Sequence, residues 1–237
     1  SYQMKHDVDS APVIGSDGSV YVGGDALHIL MPSGKRRAKI WLGGHVSASP
    51  SVRPDGVVVV GSHDHRLYAV YPDGTVAWSF DTKGPIESPV AVLDNNDMVF
   101  GSDDGYLYRL SAPGNIRWKF KTGGPIRAGV AVSRNEKKLY AASMDGSLYA
   151  LDASNGKQIF KTETVSKLRA SPMLDSDGIL YVGSRDHHLY AIDSKDGEML
   201  WRLDLGSEID STVAIATEKR LIVGSDDGTI RVLKEVE

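Results

Sequence analysis

The stretch Tyr181–Trp201 reads YVGSRDHHLYAIDSKDGEMLW. Two adjacent histidines beside an aspartate have the makings of a metal site, but the rest of the chain offers another reading. The same pattern recurs as VVVGSHDHRLYAV (58–70), MVFGSDDGYLYRL (98–110), LYAASMDGSLYAL (139–151) and LIVGSDDGTIRVL (221–233), with a shortened copy, VYVGGDALHIL, at 20–30. The anchor position runs Gly23, Gly61, Gly101, Ala142, Gly183, Gly224, at spacings of 38, 40, 41, 41 and 41. Six copies of one module of about forty residues fill the chain, the size of a supersecondary unit that must stack on its neighbours to bury its apolar faces.

Each module resolves into four short strands. The first is a Ser-Pro-type run such as Ser88-Pro89-Val90-Ala91-Val92. Asp-Gly and related dipeptides (Asp55-Gly56, Asp104-Gly105, Asp196-Gly197) separate the strands, and they suit the positive φ angles of tight hairpins. In Leu189-Tyr190-Ala191-Ile192 neither face is polar, so the strand is expected to be covered on both sides. Four-stranded antiparallel units covered on both faces predict an all-β fold, a six-bladed β-propeller forming one domain over residues 1–237. The fourth strands carry Trp41, Trp78, Trp118, Phe160 and Trp201, read as one packing position. The sixth copy ends at Val232-Leu233-Lys234 without a fourth strand, and residues 2–7 precede the first Ser-type strand. This predicts that the N-terminal segment completes the last blade and closes the ring; the alternative is a fragment of a seven- or eight-bladed ring.

Composition narrows the chemistry. There is no cysteine in 237 residues, so disulfides, thiolate metal sites and cysteine nucleophiles are all excluded. A net charge of −4 gives no electrostatic basis for nucleic-acid binding. No apolar run approaches the roughly 18 residues of a membrane-spanning helix, so no integral membrane segment is expected, and the chain is expected to be monomeric.

Ala150-Leu151-Asp152-Ala153-Ser154-Asn155-Gly156-Lys157-Gln158-Ile159-Phe160 and Ala191-Ile192-Asp193-Ser194-Lys195-Asp196-Gly197-Glu198-Met199-Leu200-Trp201 resemble the A-x-D-x-x-x-G-x-x-x-W docking pattern of pyrroloquinoline quinone (PQQ)-like repeats. Tyr71-Pro72-Asp73-Gly74 and Ser111-Ala112-Pro113-Gly114 replace the pattern with shorter turns in the second and third copies. That family includes quinoprotein dehydrogenases, an outer-membrane assembly lipoprotein and non-catalytic sensor or scaffold domains, and the resemblance implies an extracytoplasmic setting. The dehydrogenases resemble eight-bladed rings with an adjacent-cysteine disulfide and a calcium held by Glu, Asn and Asp. With no cysteine and six units, none of their catalytic residues carries over to a numbered position here.

The resulting expectation is a non-catalytic binding or scaffold domain for a protein, peptide or small ligand, with no cofactor and no metal. Two alternatives stay open: a quinoprotein-like oxidoreductase or other enzyme with its site at the channel mouth, and a sensory domain excised from a larger receptor or enzyme. The histidines of Asp186-His187-His188 and His63-Asp64-His65 fall at the same turn of the fifth and second copies, which lie opposite in a six-bladed ring. At strand spacings of about 4.8 Å they stand roughly 20 Å apart, whereas zinc binds nitrogens at about 2 Å. They are read as hydrated turns, as are the acidic turns Asp175-Ser176-Asp177-Gly178 and Asp94-Asn95-Asn96-Asp97, which lack the distal bidentate Glu of a calcium loop. The candidate ligand contacts are polar residues at the start of each first strand, facing the channel mouth: Ser10, Glu87, Arg127 and Asp210, with Ala48 and Ala170 at the same position and Arg169 just before the fifth. The basic run Lys35-Arg36-Arg37-Lys39 is read as a solvated turn on the opposite face.

Overall fold

The computed structural model describes residues 2–4, 8–217 and 220–234. The chain divides into two compact units, Ser1–Lys119 and Phe120–Glu237. The described residues form 23 strands and no α-helix. In the first unit, sheet 1 comprises β1 (Val13–Ile14), β2 (Val20–Val22), β3 (Leu27–Leu30) and β4 (Arg36–Ile40). Sheet 2 comprises β5 (Ser51–Val52), β6 (Val58–Gly61), β7 (Arg66–Val70) and β8 (Val76–Asp81). Sheet 3 comprises β9 (Ala91–Val92), β10 (Met98–Gly101), β11 (Tyr106–Leu110) and β12 (Ile116–Lys121), whose last two residues open the second unit. There, sheet 4 comprises β13 (Ala131–Val132), β14 (Lys138–Ala142), β15 (Ser147–Asp152) and β16 (Gln158–Glu163). Sheet 5 comprises β17 (Met173–Leu174), β18 (Ile179–Gly183), β19 (His188–Asp193) and β20 (Met199–Asp204), and sheet 6 only β21 (Ala214–Ile215), β22 (Leu221–Gly224) and β23 (Ile230–Leu233). Every sheet is a meander with its strands in chain order.

Within each unit the core lies between successive sheets. Tyr21, Leu27 and Ile29 of sheet 1 cluster with Val58, Val60 and Val70 of sheet 2, and Val59, Leu67 and Ala69 from sheet 2's other face cluster with Met98, Phe100 and Leu110 of sheet 3. In the second unit, Tyr140, Leu148 and Ala150 of sheet 4 pack with Leu180, Val182 and Ile192 of sheet 5, while Tyr181, Leu189 and Ala191 pack with Leu221 and Val223. Alternate residues of one strand therefore serve two different cores, which explains the continuous apolar runs.

Two devices set the sheet-to-sheet distance. At the anchor glycines the backbones approach so closely that a Cβ on Gly183 would run into Ile209, and one on Gly61 into Ile86. The fourth-strand aromatics form the other. Trp78 lies against Gly114, where an added Cβ would come within 2.9 Å of the indole, and Phe160 covers Gly197. The register puts Trp78 opposite Ala69, Phe160 opposite Ala150 and Trp201 opposite Ala191. The corresponding pair in sheet 1 is Ile29 and Ala38, so Ala38 holds the docking position. Trp41 lies past the end of β4, 69% exposed, and the expectation that every tryptophan shares one position is corrected there.

A third device braces the turn between second and third strands. Tyr68, Tyr108, Tyr149 and Tyr190 each donate a hydroxyl hydrogen bond to the aspartate four residues earlier (Asp64, Asp104, Asp145, Asp186) at 2.5, 2.7, 2.6 and 2.6 Å. The same carboxylates accept the backbone N–H two residues on. Asp104, Asp145 and Asp186 also accept one from the preceding module, from Lys83, Gly123 and Val165 in the loop that leads out of its fourth strand. Burial alone would raise the Asp186 carboxyl, but the Tyr190 hydroxyl, the His188 N–H and Ser184 outweigh it, leaving it below the usual range; Asp145 behaves alike. Burial, and then the bond to the aspartate, push the Tyr149 and Tyr190 phenols up.

Sheet 6 departs from the plan. No fourth strand pairs with β23 among the described residues, and its Ile230 and Val232 are 77% and 60% exposed. Trp201, facing this side, is 39% exposed where Phe160 is 9%. A hollow of about 330 Å³ opens beside it, lined by Ile179, Tyr181, Leu203, Leu221 and Leu233. The expected closing segment, residues 2–7, falls partly outside the described residues (5–7), and residues 2–4 form no strand. Tyr2 does pack on His28 of sheet 1, with ring centroids 5.6 Å apart, as Phe80 packs on Tyr108 at 5.6 Å and Phe120 on Tyr149 at 5.5 Å. Tyr2, Phe80 and Phe120 each stand eight residues before the aligned positions Ser10, Ser88 and Ala128. Tyr2 thus lies where a fourth-strand residue of a preceding sheet belongs.

Gly197 combines a φ of +85° with the Phe160 contact. The Gly197→Ala variant is expected to lose about 2–4 kcal/mol through overpacking and left-handed strain, read by denaturant unfolding. The braces set a pH window. The depressed Asp145 and Asp186 stabilise the fold fully above about pH 4, the unfolded carboxyl value, and that contribution disappears as pH falls through their folded values. The raised tyrosines contribute fully below about pH 10 and lose it as pH climbs toward their folded values. The thermal midpoint should fall on both sides, and an unchanged midpoint down to about pH 3 would show that the aspartates contribute nothing.

Candidate functional site

The segments that lead into the first strands carry a two-residue alternation. Val46, Ile86, Ile126, Leu168 and Ile209 are buried, Val46, Ile86 and Ile209 against anchor glycines, and the next residue, Ser47, Glu87, Arg127, Arg169 or Asp210, is half-buried or exposed. The residue after that, Ala48, Ser88, Ala128 or Ala170, is buried again in sheets 2 to 5. Three expected contacts, Glu87, Arg127 and Asp210, therefore lie on the accessible row, and Arg169 belongs to it rather than beside it. Ser10, Ala48 and Ala170 are one residue out of phase. Ser10 is buried, donating from Oγ to the Gly23 carbonyl at 3.1 Å and accepting the Gly23 N–H at 2.7 Å. The accessible position in sheet 1 is Asp9, and in sheet 2 it is Ser47.

A second polar position lines the same end of the sheets, one residue past the buried serine of each second-to-third-strand turn: His63 after Ser62, Arg185 after Ser184. His63 reaches the row residues of its own and the next sheet, and Arg185 that of the next. His63 Nε2 is 2.8 Å from Ser47 Oγ and 3.8 Å from Glu87 Oε1, with the His45 ring edge-on at 5.6 Å. Arg185 holds Asp210 through two bonds, Nε to Oδ1 at 3.0 Å and Nη2 to Oδ2 at 2.6 Å, and Arg169 Nη1 lies 3.5 Å from Asp210 Oδ2. The bonds to Asp210 push the Arg185 guanidinium further up. Glu208, Asp210 and Asp226 bring carboxylate oxygens within 4.8 Å of one another, the one such group among the described residues. Arg185 and Arg169 already neutralise its central member, so the cluster is an ion-pair network rather than an open cation cage.

The serine, histidine and glutamate in sheets 2 and 3 do not make a nucleophilic relay. In a relay one imidazole nitrogen takes the hydroxyl proton and the other is oriented by the acid. Here Ser47 and Glu87 both address Nε2.

The paired histidines of the opening stretch are turn residues. His187 and His65 have φ of 74° and 73°, in the place of Gly105 and Gly146 in the other copies, and both are exposed. His188 Nδ1 contacts the Asp186 carbonyl at 2.8 Å, and the Asp186 carboxylate is spent on the brace to Tyr190.

The chain belongs to the PQQ-like β-propeller family. The family model described as "Outer membrane protein assembly factor BamB" matches residues 5–113 and again 103–235, together almost the whole chain. No curated protein matches the sequence. Among solved structures, the computationally designed Ika8 protein superposes with a TM-score of 0.81 at 17% identity, over 95% of this chain and 70% of that one. The WD40 β-propeller domain of Doa1 gives 0.73 at 19% identity over 93% and 76%. BamB from Moraxella catarrhalis gives 0.67 at 18% over 99% and 85%. At these identities the structural likeness establishes the propeller fold. The PQQ-like propeller therefore accounts for the quoted stretch as one repeat of six.

Replacing His187 with glycine should relieve a left-handed strain of about 1–2 kcal/mol against an unfolded-state entropy cost of about 0.5–1 kcal/mol. The expected His187→Gly outcome is a small gain in thermal stability with no change in metal response. A loss of zinc-induced stabilisation in this variant would restore the metal reading.

Proposed function

We propose that this propeller is a non-catalytic binding module that presents its first-strand row and the adjoining turns to a protein or peptide partner. The observation that carries the reading is the alternation described above. Residues on either side are buried in successive sheets, while Ser47, Glu87, Arg127, Arg169 and Asp210 differ in charge from copy to copy. A repeat that keeps its packing residues and varies one accessible row has the form of a recognition surface on a rigid frame. The family description, an assembly factor, supports a protein partner over a small metabolite.

In this reading, residues 1–237 form one domain, a six-bladed ring in which the N-terminal segment supplies the missing strand of sheet 6. Two observations support closure: β23 lacks a partner among the described residues, and Tyr2 lies on sheet 1 as a fourth-strand aromatic does. The absence of a relay at Ser47, His63 and Glu87 supports the non-catalytic reading.

A photo-crosslinking residue at Glu87 or Arg169 is expected to yield a discrete protein adduct in the source cells, and one at exposed Lys35 none; equal labelling from all three would overturn the recognition row. Titrating PQQ with Ca²⁺ is expected to leave absorbance and thermal midpoint unchanged, and a saturable response would favour an oxidoreductase instead. Deleting residues 1–8 is expected to lower the midpoint, and an unaltered midpoint would remove terminal closure.

A further inference from the structure

Sheet 1 departs from the repeat at two places that meet in space. Its second-to-third-strand turn, Gly24-Asp25-Ala26, is two residues shorter than Ser62-His63-Asp64-His65-Arg66. Just past its fourth strand stands Trp41, where the other sheets carry Asp81, Lys121, Glu163 and Asp204, all charged and exposed. The loop that follows, Gly43-Gly44-His45, shares its glycine pair with Gly123-Gly124-Pro125 after sheet 3 and brings His45 beside the indole. Together Asp25, Trp41, Gly43, Gly44 and His45 line an open hollow of about 380 Å³. Departures from a repeat that coincide at one spot, with no gain in packing, mark function more often than architecture. Trp41 contributes no docking contact in the repeat, which Ala38 provides at that position.

The charges around the hollow are settled internally. Asp25 lies deep, its Oδ1 bonded to His28 Nε2 at 2.9 Å and its Oδ2 to Lys39 Nζ at 2.5 Å. The Lys39 bond, followed by that to His28, lowers its carboxyl to about 2. The Lys39 ammonium also lies 4.7 Å over the Trp41 ring. Farther along the same face of β4, Arg37 pairs with Asp17 at 2.9 Å. A cationic ligand would have to displace Lys39 from both the indole and the carboxylate. A saccharide would need converging polar groups, yet the Asp25 oxygens are occupied and two of the five lining residues are glycines. A charge-balanced, mainly hydrocarbon hollow with an exposed indole complements an uncharged apolar side chain.

We propose that Trp41 and this hollow form an anchoring pocket for one apolar side chain, aromatic or aliphatic, of a partner polypeptide. The proposal rests on the protein-binding reading above and deepens it by placing a second contact outside the first-strand row.

The chain has four tryptophans, so an ¹⁵N spectrum resolves few indole signals, and the Trp41→Asp variant assigns one of them. That variant installs the charged residue type other sheets carry at the position, so its thermal midpoint should match the parent. Titration with Ac-Gly-Phe-Gly-NH₂ and Ac-Gly-Leu-Gly-NH₂ is expected to shift the Trp41 signal saturably, with a Kd of order 1–10 mM. Ac-Gly-Gly-Gly-NH₂, N-acetylglucosamine and tetramethylammonium should leave it unmoved, and Trp41→Asp should weaken peptide binding at least about tenfold. A Trp41 signal unmoved by either apolar peptide, or moved by the sugar or the ammonium ion instead, would overturn the pocket. Peptide-induced shifts confined to Arg127, Arg169 and Arg185 would overturn it too, while leaving the first-strand recognition reading intact.

Discussion

Everything in this structure depends on sheets that are apolar on both faces. A strand such as β6, with all four residues buried, cannot be stable in an isolated hairpin. Val58 and Val60 serve the core shared with sheet 1, Val59 that shared with sheet 3. Stacking is then obligatory, and the close approach at the anchor glycines follows, because any Cβ there would hold two sheets apart. The Tyr–Asp brace solves the polar counterpart of the problem. In sheets 2 to 5 the turn that caps the inner hairpin is pinned to its own strand by the phenol, and in three of them also to the preceding module's loop by a backbone N–H.

This frame separates buried from accessible positions at single-residue resolution. In the extended segments that lead into the first strands, adjacent positions have opposite fates. Ser10 completes a buried bond to Gly23, whereas its neighbour Asp9 is exposed. The ion pairs of the accessible row join one module's turn to the next module's first strand, as Arg185 does with Asp210. The same surface that would meet a partner also links neighbouring modules.

Much of this was legible in the sequence because the modules repeat. The anchor glycines, the Asp-Gly turns and the fourth-strand aromatics announced four-stranded units, and the docking pattern announced their family. Two expectations failed, for different reasons. Shifting a register by one residue exchanges the faces, which carried Ser10, Ala48 and Ala170 onto the wrong side. Trp41 was drawn into the docking row by residue type, and only the pairing of Ile29 with Ala38 corrects it. The Tyr–Asp brace stood in plain view as a spacing of four, yet its meaning depends on the left-handed residue between, which hydropathy does not encode.

Among the described residues no strand covers the outer edge of β23, and this has a further implication. Its backbone groups and its Ile230–Val232 stripe form a template on which any extended chain can grow. A molecule with one such edge and a complementary end joins to its like head to tail, and an asymmetric contact of that kind propagates into fibres unless it closes on itself. Whatever strand caps β23 therefore does more than finish a sheet: it keeps a repetitive polypeptide from polymerising.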